Sequence, residues 1–137
     1  MMRSSGMVDT QPSVGNVPVA IASIVGLRAA ANVSPYTTAK HAMVGLVRSV
    51  ALETAGSGVT VNAVCPGYVD TDLIQSAVTR LVEKGMPREQ ALARFTSDVP
   101  TGRLTQPDEV AAAVVYLCSP KAAAVTGTTL VIGAEGP

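Results

Sequence analysis

Apolar and polar residues change rhythm several times along this chain, and the changes mark out alternating strands and helices. "VPVAIAS" (17–23) is a short apolar run with β-branched residues, the pattern of a strand buried on both faces. The period then switches. Ala39, Ala42, Met43, Leu46, Val47 and Val50 recur at three- and four-residue steps, which gathers them on one side of a helix. Ser34 as N-cap, Pro35 at the first helical position and Gly56 as a stop give that helix its ends. "GVTVNAVCPG" (58–67) predicts a second buried strand that closes in a Pro-Gly turn. Residues 71–84 and 88–96 read as a helical pair broken at Gly85-Met86-Pro87. Thr105 and Asp108 read as a capping pair for a helix running to about Cys118, and "GTTLVIG" (127–133) predicts a third strand. Residues 1–16 are polar and punctuated by Gly, Ser and Pro, and are expected to be poorly ordered. Strand, helix, strand, helices, strand is the order of an α/β fold with a parallel sheet.

Length bounds this picture to one domain, since 137 residues suffice for a single core. Ten basic and ten acidic residues cancel, so no net field draws nucleic acid or an anionic membrane. Cys65 and Cys118 sit in "NAVCPG" and "VVYLCSP", without a C-x-x-C spacing. They read as buried thiols of a cytosolic protein, not as a bridge or a metal site. No apolar run reaches the roughly 18 residues of a membrane span, and the opening residues lack the apolar segment of a secretory signal. The expectation is a cytoplasmic chain with no nucleic-acid, membrane or metal partner.

Working residues of parallel sheets collect at the carboxyl ends of the strands. Here those ends are Ser23, the segment Pro66–Thr71 and the tail after Ile132. Tyr36 and Lys40 open the helix after the first strand, and their i, i+4 spacing puts them on one helix face. An ammonium beside a phenol favours phenolate, which suits the phenol for proton exchange with a carbonyl or alcohol oxygen. A serine hydroxyl at the neighbouring strand end can hold the same oxygen. Each part alone is unremarkable: a Tyr-x-x-x-Lys pair arises by chance, a strand-end serine commonly meets backbone, and His41 reads as a helix-surface or packing histidine. Their conjunction with a strand that ends in Pro-Gly is a much narrower pattern, and it points to carbonyl reduction or alcohol oxidation beside a hydride carrier.

In order and spacing, "IASIVGL", "SPYTTAKHAMVGLVRSVALE", "GVTVNAVCPGYVDTDL", "GRLTQPDEVAAAVVYLCSP" and "AAAVTGTTLVI" resemble the catalytic half of a short-chain dehydrogenase/reductase, over roughly residues 17–132. The resemblance implies a Rossmann-like sheet, present here as about three strands with flanking helices. It also implies roles. Tyr36 would be the acid/base, Lys40 would tune it and hold the nicotinamide ribose, and Ser23 would polarise the substrate carbonyl. Pro66, Gly67 and the backbone at Val69 would cradle the nicotinamide of NAD or NADP, with Thr71 reaching its carboxamide or the phosphates. The pair at 71–96 would be a mobile cover over the substrate. "DVPTGRLTQPDEVA" leans toward reductases of 3-oxoacyl thioesters, with dehydrogenases of 3-hydroxy acids or small diols next. Arg80, Arg88 and Arg94 read first as solvated helix-face charges, and second as contacts for a carboxylate or a phosphopantetheine.

The resemblance also shows what to look for in vain. The family's N-terminal half carries a glycine-rich turn, a residue that selects NAD or NADP, and an asparagine of the proton relay. Before Ser23 the only glycines are Gly6 and Gly15, neither of which opens a helix after a strand. "VIGAEGP" also departs from the acidic residue and two glycines usual after the last strand. The chain is therefore expected to be a shortened member that binds nicotinamide nucleotide weakly or not at all by itself. Its first strand would have an open edge and its first long helix an uncovered apolar stripe, favouring self-association or pairing with a full-length homologue. Three functions follow as expectations: an oxidoreductase, a catalytically silent remnant, or an interaction module.

Overall fold

The computed structural model describes residues 17–134, so the expectation for residues 1–16 falls outside the described residues. The elements in chain order are β1 (Val19–Ile21), a 3-10 turn (Ile24–Gly26), α1 (Ser34–Glu53), β2 (Asn62–Pro66), α2 (Asp72–Glu83), α3 (Arg88–Thr96), α4 (Pro107–Leu117), a second 3-10 turn (Pro120–Ala122) and β3 (Thr129–Ile132). The strands form one parallel sheet in the order β1-β2-β3, with Ala20 opposite Ala63 and Val64 opposite Leu130. Helices supply both crossovers, as parallel neighbours require. The α/β parallel architecture is as the sequence predicts: among the described residues the sheet is open and has three strands.

All five residues of the central strand β2 are buried. Alternation along it divides the core. Ala63 and Cys65 pack with Val44, Val47 and Ala51 of α1, where each buried valine contributes on the order of 1.5–3 kcal/mol. The α4 side is closed by Leu117, 1% exposed. Asn62, also fully buried, donates through Nδ2 to the Val125 carbonyl at 2.8 Å and accepts the Thr128 N–H on Oδ1 at 3.2 Å. Both ends of its amide are thus satisfied, and the turn into β3 is fastened to the sheet.

Burial corrects one expectation. β1 is not covered on both faces: Val19 and Ala20 are half-buried and Ile21 is 45% exposed. Among the described residues β1 pairs only with β2, so one of its edges and part of its surface meet no neighbour. Leu46 and Leu52, on α1, are likewise exposed. Cys65 is buried and Cys118 only half-buried, and both are free thiols.

Two helix starts also differ from the sequence reading. α1 begins at Ser34 itself, because the Val33 carbonyl already accepts the Thr37 N–H at 2.8 Å; Val33 is the N-cap and Ser34 caps nothing. The helix ends at Glu53, where the Thr54 hydroxyl donates to the Val50 carbonyl at 2.9 Å, and Gly56 follows at φ 79 in the turn beyond. α4 starts one residue later than Thr105 would place it. Thr105 is buried in an isolated bridge to Val69, so the cap falls to Gln106, whose N–H donates to the Glu109 carboxylate at 2.8 Å.

Glu109 also receives both Nη groups of Arg103, at 2.8 and 2.7 Å. These donors pull its carboxyl down from an ordinary 4.5 to about 2. A depressed acid contributes stability that is complete above its unfolded pKa and is lost as pH falls through the folded one. The melting temperature of wild type should therefore exceed that of Glu109→Gln at pH 6, with the gap closing between pH 4.5 and 2. An equal gap at pH 6 and pH 2 would show that the carboxylate is not its source.

Candidate active site

The site starts where β1 stops. Ser23 lies two residues past the strand, 8% exposed, with extended backbone (φ −173, ψ 158). Its Oγ accepts the Val25 N–H at 3.2 Å and so caps the 3-10 turn. That bond uses a lone pair of the hydroxyl and leaves the proton free to donate elsewhere. The turn lies hard against α1: a Cβ on Gly26 would stand 2.7 Å from the Lys40 carbonyl oxygen. Only glycine permits this approach, and through it the strand end meets the first turns of the helix.

Tyr36 is the third residue of α1 and is 48% exposed. The Lys40 Nζ lies 5.6 Å from the Tyr36 ring centroid and donates to the Ile21 carbonyl at 2.9 Å. Lys40 therefore pins the end of β1 to α1 while keeping its charge beside the ring. His41 is exposed, with Nδ1 2.9 Å from the Thr37 carbonyl oxygen, on the helix surface as expected.

The third part comes from the loop after β2. Gly67 donates its N–H to the Ile132 carbonyl at 2.8 Å, and a Cβ there would collide with the Gly133 oxygen. The loop is then stitched to the segment before α4. Thr105 donates its N–H to the Tyr68 carbonyl at 3.0 Å, and its own carbonyl accepts the Asp70 N–H at 2.8 Å. The Asp70 carboxylate accepts from Gln75 at 2.6 Å and Gln106 at 3.3 Å, and these bonds hold its pKa below the usual carboxylate value. The Thr71 hydroxyl donates to the Val69 carbonyl at 3.4 Å.

Ser23, Tyr36, Gly67, Val69 and Thr71 all line one cleft of about 610 Å³. Lys40 and Pro66 are not among its lining residues: the ammonium is turned to Ile21, and Pro66 is buried as the last residue of β2. Leu73 and Ile74 of α2, Phe95 of α3 and Val99 supply apolar walls. Tyr68 meets Phe95 edge-to-face, with ring centroids 5.2 Å apart and planes at 83°, which ties the helical pair to the loop after β2. Sequence reasoning gave no role to Tyr68, Asp70 or Gly26, and it read Thr105 as a helix cap. The only available signal was a tyrosine beside Pro-Gly in a chain with three tyrosines.

Electrostatics sorts the remaining candidates. Burial pushes the Cys65 thiol up, so it stays protonated near neutrality and is not a nucleophile. Among the described residues no group of three His, Cys, Asp or Glu side chains is placed to hold a metal, and no helix is long and apolar enough to cross a membrane. The phenol, the two hydroxyls and the glycine-bearing loop that line the cleft are a donor set of the kind the nicotinamide and ribose end of a dinucleotide takes, and the Lys40 ammonium stands beside the phenol, turned to Ile21. The glycine-rich turn that would receive the pyrophosphate is not among the described residues.

A family model described as Enoyl-(Acyl carrier protein) reductase matches residues 6–134. The D-beta-hydroxybutyrate dehydrogenase of Cupriavidus necator is 45% identical over 109 residues, 78% of this chain and 42% of that protein. The short-chain dehydrogenase fogB of Aspergillus ruber is 41% identical over 115 residues, 83% of this chain and 39% of that protein. Among solved structures, an actinorhodin polyketide ketoreductase variant with NADPH is 43% identical with a TM-score of 0.74, over 83% of this chain and 44% of that one. The chain spans about half the length of the curated relatives it matches.

Proposed function

Because the chain belongs to the short-chain dehydrogenase/reductase family, whose C-terminal catalytic region it carries, we propose that it serves the NAD(P)-dependent interconversion of a ketone and a secondary alcohol. One observation supports this above all: Ser23 and Tyr36, on different elements, line the same cleft at the carboxyl ends of the strands. In reduction, the Tyr36 phenol gives its proton to the carbonyl oxygen, and the Ser23 hydroxyl donates a hydrogen bond to that oxygen as negative charge gathers there. Lys40 holds positive charge beside the phenol, and its ammonium would turn from the Ile21 carbonyl to meet the nicotinamide ribose. Gly67, Val69 and Thr71, which line the cleft, would hold the nicotinamide end, with Pro66 buried at the end of β2 as their support. A bound dinucleotide would supply the hydride. Closure of the α2–α3 cover, which the Tyr68–Phe95 contact joins to the loop, would exclude water from the carbonyl.

For the substrate, a 3-oxoacyl thioester is the reading favoured by the likeness to a polyketide ketoreductase and by the apolar walls. The likeness to a D-beta-hydroxybutyrate dehydrogenase supports a free 3-hydroxy acid as the next choice, and a small diol after it. Free thiols at Cys65 and Cys118 suit a cytoplasmic location. The edge of β1, unpaired among the described residues, and the exposed Leu46 and Leu52 favour a second reading, in which the chain pairs with a copy of itself or with a full-length homologue, with or without turnover.

A reductase assay with an acetoacetyl thioester, NADH and NADPH tests the first reading. Weak turnover is the expected result, since the described residues offer the pyrophosphate no glycine-rich turn. Failure with both, in a preparation that is folded by circular dichroism, would leave the second reading and reduce the constellation to ancestry.

A further inference from the structure

The charged residues of the cleft restrict the substrate more than its apolar walls do. Three arginines of the helical pair are candidates for an anion, and the structure separates them. Arg88 donates to the Gln75 Oε1 at 3.1 Å, and Arg80 donates to the Ser76 carbonyl at 3.3 Å on its own helix. Arg94 lines the cleft, and so does Arg28, from the turn that follows Ile24–Gly26. Among the described residues the one ion pair is Arg103–Glu109, so no carboxylate lies within ion-pair distance of Arg28 or Arg94. Among the described residues the only acidic side chain lining the cleft is Asp98, which already accepts from the Ser97 hydroxyl at 3.3 Å. Counted over the described lining residues, two guanidinium groups stand against one carboxylate, beside walls of low polarizability that concentrate the field. A guanidinium's planar fork of donors matches a carboxylate or a phosphate.

We infer that the substrate of this cleft carries an anionic group, and that Arg28 and Arg94 hold it while Ser23 and Tyr36 address the carbonyl; the inference rests on the reading of that pair given above. The carboxylate of a keto acid and the phosphates of a coenzyme A thioester present the same chemistry to the two arginines. Arg28 and Arg94 are thus specificity-determining residues, drawn from the strand-end turn and from the cover.

The test reads binding, not turnover. The arginine Nε–Hε signals of the 15N-labelled chain are followed during titration with acetoacetate, acetoacetyl-coenzyme A and the neutral ester ethyl acetoacetate. Arg28 and Arg94 signals should move with an anionic ligand and stay still with the ester. A response to acetoacetate assigns a carboxylate, and a response to acetoacetyl-coenzyme A alone assigns a phosphate. Arg28→Gln and Arg94→Gln should each weaken the responding anion about tenfold or more, in line with loss of a charge-assisted bond, while Arg28→Lys and Arg94→Lys recover part of it. Equal binding of ester and anion, no response to any anion, or unchanged affinity in both Gln variants would overturn the inference. Anion binding without reduction would sink the proton-donor reading of Tyr36 and leave the anion site standing. Reduction of ester and acid alike would do the reverse.

Discussion

Tyr36→Phe is expected to lower the turnover of a carbonyl substrate by about 10²–10⁴-fold, the range carried by a positioned general acid. The substitution deletes one oxygen from a half-exposed ring at the third position of α1. The ring itself remains, and with it the face on which the Lys40 ammonium rests at 5.6 Å. Lys40 keeps its bond to the Ile21 carbonyl, so the join between β1 and α1 survives. The melting temperature should therefore stay within a degree or two of wild type, and the loss should fall on kcat and not on KM. Ser23→Ala makes the instructive contrast. It removes a donor from the carbonyl and also the acceptor that caps the 3-10 turn through the Val25 N–H, so it should lower both turnover and stability, the latter by about 0.5–2 kcal/mol. A Tyr36→Phe variant that turns over within twofold of wild type would move the proton donor elsewhere.

How much of this was legible beforehand depends on the range of the interaction. The switch from a β-branched run to a three- and four-residue period between Val17 and Val50 is a local signal, and it correctly gave a strand followed by a helix. Tyr36 and Lys40 are one helical turn apart, so their proximity follows from helix geometry alone. The errors arise where a partner distant in sequence decides. Ile21 reads as a core residue, yet it is exposed, on a strand that among the described residues pairs with β2 alone. Thr105 reads as a helix cap, but Val69 and Tyr68 capture it 36 and 37 residues away, and the cap passes to Gln106. Arg94 reads as one of three equivalent helix charges, and only the fold of the cover separates it from Arg80 and Arg88. No periodicity or spacing encodes such pairings.

Glycines make the same point, since their meaning depends on what lies across from them, and Gly133 carries the second large expected effect. It sits at φ +61, and a Cβ there would collide with the Thr105 side chain. Thr105 cannot retreat: it is 3% exposed and bound on both sides of its backbone to Tyr68 and Asp70. Gly133→Ala should therefore cost roughly 1–2 kcal/mol for the left-handed backbone and about 1–3 kcal/mol more for overpacking. Gly102 provides the reference. It has φ +67 and nothing within 4 Å of an added Cβ, so Gly102→Ala bears the backbone cost alone. Urea unfolding of the two variants isolates the steric share as their difference. The strain from Gly133→Ala falls on Thr105, which is bonded to the loop from Gly67 to Thr71, and Gly133 itself lines the cleft, so ligand binding in the cleft should weaken in Gly133→Ala and hold in Gly102→Ala. Thr105→Ala in the Gly133→Ala background should recover part of the lost stability, because it removes the opposing hydroxyl and methyl. Equal costs for Gly133→Ala and Gly102→Ala would mean that Thr105 yields freely, and that the loop bearing Gly67, Val69 and Thr71 is not held in place from behind.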